Sequence, residues 1–163
     1  MATVKRVPGA GAEKLKQLLG GSANVKSRVG WLGSSQYENG FPVAAAAAQN
    51  ELGNPELGIP PRSFMRTTVS EQRQNWRQLA ESGARAMMAG NETMSTVMEK
   101  LAFQAEGDIA KKITEITAPP LKASTIKARQ RKLANGKEIG SLTKPLIETA
   151  TMLNTLTHDV VPE

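Results

Sequence analysis

Residues 68–116 read TVSEQRQNWRQLAESGARAMMAGNETMSTVMEKLAFQAEGDIAKKITEI, and they decide the fold because they specify two consecutive amphipathic helices. Thr68-Val69-Ser70-Glu71 has the form of a capping box, in which a threonine hydroxyl and a glutamate three residues on satisfy unpaired N–H groups at a helix start. Val69, Trp76, Leu79, Ala80, Gly83 and Met87 then share one face at helical spacings. Gly90 and Asn91 predict the stop. The second helix sets Met94, Val97, Met98, Leu101, Ala105, Ile109, Ile113 and Ile116 on one stripe, with Lys111 and Lys112 near its negative end. Pro119 closes it.

Upstream, Leu15, Leu18 and Leu19 predict a short helix over 11–19, stopped by Gly20 and Gly21. Val25 through Leu32 is rich in β-formers, and GSSQYENG at 33–40 is turn chemistry. Pro42, Val43 and the run Ala44–Ala48 start a helix that ends at Gly53. Three prolines and a glycine make 54–63, NPELGIPPRS, a loop. Downstream, 123–133 predicts a short basic helix capped by Ser124 or Thr125. A polar loop covers 135–144, an apolar turn of helix gathers Leu146, Ile147, Met152 and Leu153, and a strand runs from about Leu156 to Val161. The expected architecture is α+β in a single domain over 1–163: a small antiparallel sheet against two long helices, with short extra helices and long loops.

Composition narrows the function classes. Alanine supplies 21 of the 163 residues and only six are aromatic, so the core is thin and burial between subunits is expected to supplement it. The net charge of +6 permits contact with an acidic surface and is also explained by solubility. The absence of cysteine excludes disulfides, cysteine-ligated zinc and thiol nucleophiles, and fits folding in a reducing cytoplasm. No stretch of 18 apolar residues exists, and 1–19 lacks an uninterrupted apolar segment, so a soluble protein without a signal peptide or membrane partner is expected.

Catalytic constellations are missing. His158 is the only histidine, and it falls in an expected strand close to the last residue, which reads as an ordinary surface or partly buried position. Glu99, Glu106 and Asp108 read as the solvated side of their helix, and no metal ligation is expected of them. Gly9-Ala10-Gly11 lacks the third glycine of a dinucleotide fingerprint, and no phosphate-binding loop is present. No enzyme activity and no cofactor are therefore expected. The basic residues Lys122, Lys127, Arg129, Arg131 and Lys132 read as a solvated helix face, since no aromatic residue interleaves to stack a base. Steering of duplex DNA, or salt bridges to a neighbouring subunit, is the other use of that face.

Three segments, in this order, resemble the head–tail joining and tail-completion proteins of long-tailed bacteriophages, including the virion morphogenesis proteins of Mu-like phages. The first is 43–66, where an alanine-rich helix leads to Asn50-Glu51-Leu52-Gly53 and then Ile59-Pro60-Pro61-Arg62-Ser63-Phe64-Met65-Arg66. The second is Pro119-Pro120-Leu121 with Ser124-Thr125-Ile126-Lys127 and the basic residues after it. The third is Lys144-Pro145-Leu146-Ile147-Glu148-Thr149, then Met152-Leu153 and a strand; that family usually has glycine after this threonine, where the present chain has Ala150. Together with the intervening helices, the three cover well over half of the chain.

The resemblance implies a structural virion subunit, assembled in the host cytoplasm, that forms a ring, often of six copies, at the neck or tail terminus. Its implied partners are copies of itself, a portal-side adaptor or connector, tail tube or sheath proteins, and genomic DNA passing unspecifically through the channel. Glu51, Pro60, Pro61, Arg62, Phe64 and Arg66 are the candidate subunit contacts. The stiff proline pair lowers the ordering cost of an extended contact, and an internal turn is its other reading. A basic, non-enzymatic nucleic-acid-binding protein is the alternative function.

Overall fold

Chain order gives β1 (Val25–Gly30), α1 (Val43–Leu52), α2 (Met65–Ala89), α3 (Met94–Glu115), α4 (Ala123–Ala134), α5 (Thr151–Asn154) and β2 (Thr157–Pro162). The computed structural model describes residues 25–162 and positions 9, 11 and 13. The helix expected over 11–19 lies outside the described residues apart from Gly11 and Glu13. The architecture is α+β: a two-stranded antiparallel sheet packed against two long helices, with shorter helices beside them.

The α2–α3 hairpin follows its sequence pattern closely. Gly90 adopts φ 82°, and its N–H and that of Asn91 return to the carbonyls of Met87 and Ala86, closing α2 with a left-handed glycine. Thr93 then caps α3 by accepting from the Thr96 N–H. Val97, Ala102, Ile109 and Ile113 are buried along α3, and Met87 from α2. Gly83 marks a close crossing: a Cβ there would sit 2.4 Å from Val97 Cγ1, so only glycine lets the helices approach this far. Val69 departs from its expected place on the packed face, being half exposed.

The start of α2 also departs from expectation. Thr68 lies inside the helix, and its hydroxyl donates to the Phe64 carbonyl at 2.7 Å rather than capping anything. The helix begins one turn earlier because the Glu51 carboxylate, from another element, supplies the cap. Nor does α4 use Ser124 or Thr125 as a cap: Lys122 takes the extended cap conformation, and the N–H groups of Thr125 and Ile126 bond its carbonyl. In the expected apolar turn, only Thr151–Asn154 is helical, while Leu146 and Ile147 lie in irregular chain.

The main core joins Val43 and Ala47 of α1, Phe64, Ile109 and Ile113 of α3, Leu146, Met152 of α5, and Leu156. Trp31 leans edge-on against Phe64 at 5.7 Å and donates its indole N–H to the Met152 carbonyl. The strands pair from Val25 opposite Pro162 to Gly30 opposite Thr157. Alternation buries Val25, Ser27 and Val29 partly against α3 and exposes Lys26 and Arg28. No helix among the described residues is long and apolar enough to cross a membrane.

Candidate functional site

The proline-rich loop after α1 is fastened at both ends by charge. Glu51 accepts from the N–H groups of Met65 and Arg66 at 2.8 and 3.1 Å, and from the Arg66 guanidinium at 2.9 Å. Burial opposes its charge, yet these donors outweigh it and hold the carboxyl below its ordinary range. Arg62, 6% exposed, sends Nε to the Pro119 carbonyl at 2.9 Å and Nη2 to that of Pro120 at 3.3 Å. Burial, and secondarily the charge of Arg129, push Arg62 below the usual arginine range. The loop itself turns sharply at 54–59, where Asn54 and Ile59 exchange backbone hydrogen bonds.

A second arginine organises the far side. Arg129 of α4, 3% exposed, donates Nη1 to the carbonyls of Ser141 and Lys144, both at 2.7 Å, and Nη2 to Pro145 at 3.2 Å. Its Nε lies 3.7 Å from Glu148, which in turn holds Lys132 at 2.5 Å. Three polypeptide stretches thus converge: α1 with its following loop, the Pro119–Pro120 segment with α4, and 141–152. Beside them opens a cavity of about 410 Å³, lined among others by Tyr37, Asn50, Lys132, Lys137 and Thr149. Its lysines are matched by acids, Lys132 with Glu148 and Lys137 with Glu38.

These contacts redistribute the expected site residues. Glu51, Arg62 and Phe64 are buried and engaged within the chain, so as subunit contacts they are corrected: their polar atoms and surface are already occupied. Pro61 and Arg66 are exposed and Pro60 is half-buried, which leaves these three on the surface of that loop. Arg129 likewise leaves the basic face, because its guanidinium bonds carbonyls inside the protein. Lys127 and Arg131 remain exposed one turn apart, and Lys132 is exposed beside Glu148. Lys122 is drawn away to the 54–59 turn, its ammonium lying where a Cβ on Gly58 would stand.

His158 is more than an ordinary strand residue. Its Nδ1 meets Glu106 at 2.5 Å and its Nε2 meets Glu99 at 3.1 Å, with Phe103 edge-on at 6.0 Å. Hydrogen bonding to Glu106 first, then Glu99, raises the imidazole pKa against the effect of burial. Reading these glutamates as a purely solvated face is thus corrected: they bind β2 to α3. Because they approach opposite ring nitrogens, they do not converge on one ion position, and Asp108 is turned to the Trp76 indole and Gln104. No cluster able to hold a metal exists among the described residues.

Sequence reasoning missed the buried roles of Glu51 and Arg129 and the His158 clamp. For Arg129 a signal existed: Ile126, Arg129 and Leu133 are spaced three and four apart, so the arginine continues the apolar edge of its helix. For Glu51 and His158 the partners lie too far along the chain for any local pattern. Large apolar side chains also stand exposed, notably Phe103 at 69%, Leu52 at 65% and Leu57 at 62%. Comparison with family models, curated proteins and solved structures finds no match to this chain.

Proposed function

We propose that this chain is a non-enzymatic structural subunit of a tailed bacteriophage particle, forming a ring at the head–tail junction that joins the tail to the connector and leaves a bore for DNA. One observation carries the reading. The three segments that resemble the head–tail joining and tail-completion proteins, far apart in sequence, are tied into one unit by their own polar residues. Arg62 of the first holds the Pro119 and Pro120 carbonyls of the second, and Arg129, following the second, holds Lys144 and Pro145 of the third. Ala150 adds support: it adopts φ 55°, the only positive φ at a non-glycine among the described residues, at the position where that family usually has glycine.

The remaining surface fits a subunit that gains stability from neighbours. Leu52, Leu57 and Phe103 are large, exposed and apolar, and the partners proposed for such surfaces are other copies, a portal-side adaptor and the tail tube or sheath. The alternative, a basic non-enzymatic nucleic-acid-binding protein, loses Arg129 from its basic face and has Lys132 beside Glu148. Deleting the reading frame from the phage genome tests the assignment by electron microscopy. Filled heads and separate tails that join when the protein is added back are expected; intact, infectious particles without it contradict the proposal.

A further inference from the structure

A sheet of two strands has two open edges. Among the described residues, β1 and β2 pair only with each other. Such a ladder is marginal by itself, and its outward N–H and C=O groups are a template for another strand. What distinguishes the edges is charge. On the sheet face turned away from α3, β1 carries Lys26 and Arg28, while β2 carries Thr157, Asp159 and Val161. Arg28 lies directly opposite Asp159 and pairs with it, but the residue opposite Lys26 is Val161, so this second cation has no carboxylate across the strand.

Two copies can share an edge in three ways. Pairing β1 with β1 sets Lys26 and Arg28 beside the same cations, and pairing β2 with β2 sets Asp159 beside Asp159; like charges across a ladder are destabilising. Pairing β1 of one copy with β2 of the next brings Lys26, the cation with no carboxylate across its own strand, toward the neighbour's Asp159, the charge-complementary choice of the three. That choice is heterologous, each copy using one surface to give and another to receive, and such contacts generate rings where the rotation between copies closes. On this basis, and resting on the ring-subunit reading above, we infer that adjacent copies join β1 to β2 through their open edges, so that one continuous sheet runs from subunit to subunit. Pro162, without an N–H, limits the shared ladder to Thr157–Val161 on the β2 side.

The natural absence of cysteine permits a direct test on the full chain. Lys26→Cys and Thr157→Cys both lie on the outer sheet face; the two single variants are mixed at high concentration and treated with a short bis-maleimide. Links between position 26 of one copy and 157 of another are expected to outnumber 26–26 and 157–157 links. In parallel, Lys26→Glu and Asp159→Lys are each expected to weaken self-association about tenfold, and the double variant to restore it. Circular dichroism separates loss of assembly from loss of fold, and the restoring double variant keeps the result decisive where Asp159→Lys alone unfolds. Predominant like-to-like links overturn the inference. So does an assembled ring that gives no 26–157 link and ignores both charge reversals, an outcome that leaves the ring itself standing. A chain that stays monomeric throughout contradicts the ring-subunit reading first and this inference with it.

Discussion

The α2–α3 hairpin and the junction around Arg62 and Arg129 are both well ordered by internal contacts, yet they are held by different physics. The hairpin relies on apolar side chains at helical spacing and on one glycine, Gly83, that lets α2 meet Val97. The junction relies on charged groups taken out of water and hydrogen-bonded to backbone carbonyls and amides, with the Arg129 Nε left without a hydrogen-bond partner. Apolar packing loses stability gradually as atoms are removed. A buried charge that loses its partners, or carbonyls that lose their only donor, cost more per atom, because desolvation is no longer offset. The junction is therefore expected to be the more brittle region.

Arg129→Ala gives the sharpest contrast. It strands the carbonyls of Ser141, Lys144 and Pro145 and leaves Glu148 without its second cation, and urea denaturation is expected to show a loss of about 3 kcal/mol. A loss below about 1 kcal/mol would erase the distinction between the regions. Glu51→Ala removes the cap of α2 and is expected to cost about 2 kcal/mol. Because its folded carboxyl is held below the ordinary range, the stabilisation from Glu51 is present above about pH 4.3 and is lost as pH falls through the lower folded value. Acid titration of Glu51→Gln should therefore show a shallower fall in stability.

On the hairpin side, Gly83→Ala gains helix propensity but drives a Cβ into Val97, for a net expected loss of about 1 kcal/mol. Combining it with Val97→Ala should show a coupling of the opposite sign, since the clash disappears. Ala150→Gly relieves the left-handed backbone and is expected to raise the melting temperature, by about 0.5 kcal/mol in stability. The smallest effect concerns His158. Its folded pKa is raised, so its contribution is complete below about pH 6.5 and fades as pH rises through the folded value. Stability of His158→Gln should vary less over that window, and NMR titration of the wild-type ring should place the midpoint above the ordinary histidine value.

Legibility in the sequence follows the same division. The hairpin, its glycine stop and the ends of α1 and α3 were readable, because periodicity, glycine and proline act within a few residues. Both strands are readable, since Val25–Gly30 and Thr157–Pro162 lie within two residues of the stretches expected over Val25–Leu32 and about Leu156–Val161. The start of α2 is hidden in the sequence because Thr68 and Glu71 match a capping box, while the real cap, Glu51, reaches Met65 from 14 residues away. Arg129 reads as surface charge in the sequence because it stands among Lys127, Arg131 and Lys132; only its continuation of the Ile126 edge separates it from them. Buried polar clamps need a partner that the chain brings from elsewhere, and that partner has no fixed spacing.

If this chain is the proposed ring subunit of the head–tail junction, its copies must associate into a closed assembly, and sedimentation equilibrium of the purified full chain reads that mass. A concentration-stable species at an integral multiple of 17.5 kDa, six copies by the resemblance, is the predicted result. A monomer that persists at 17.5 kDa across the accessible concentration range contradicts it.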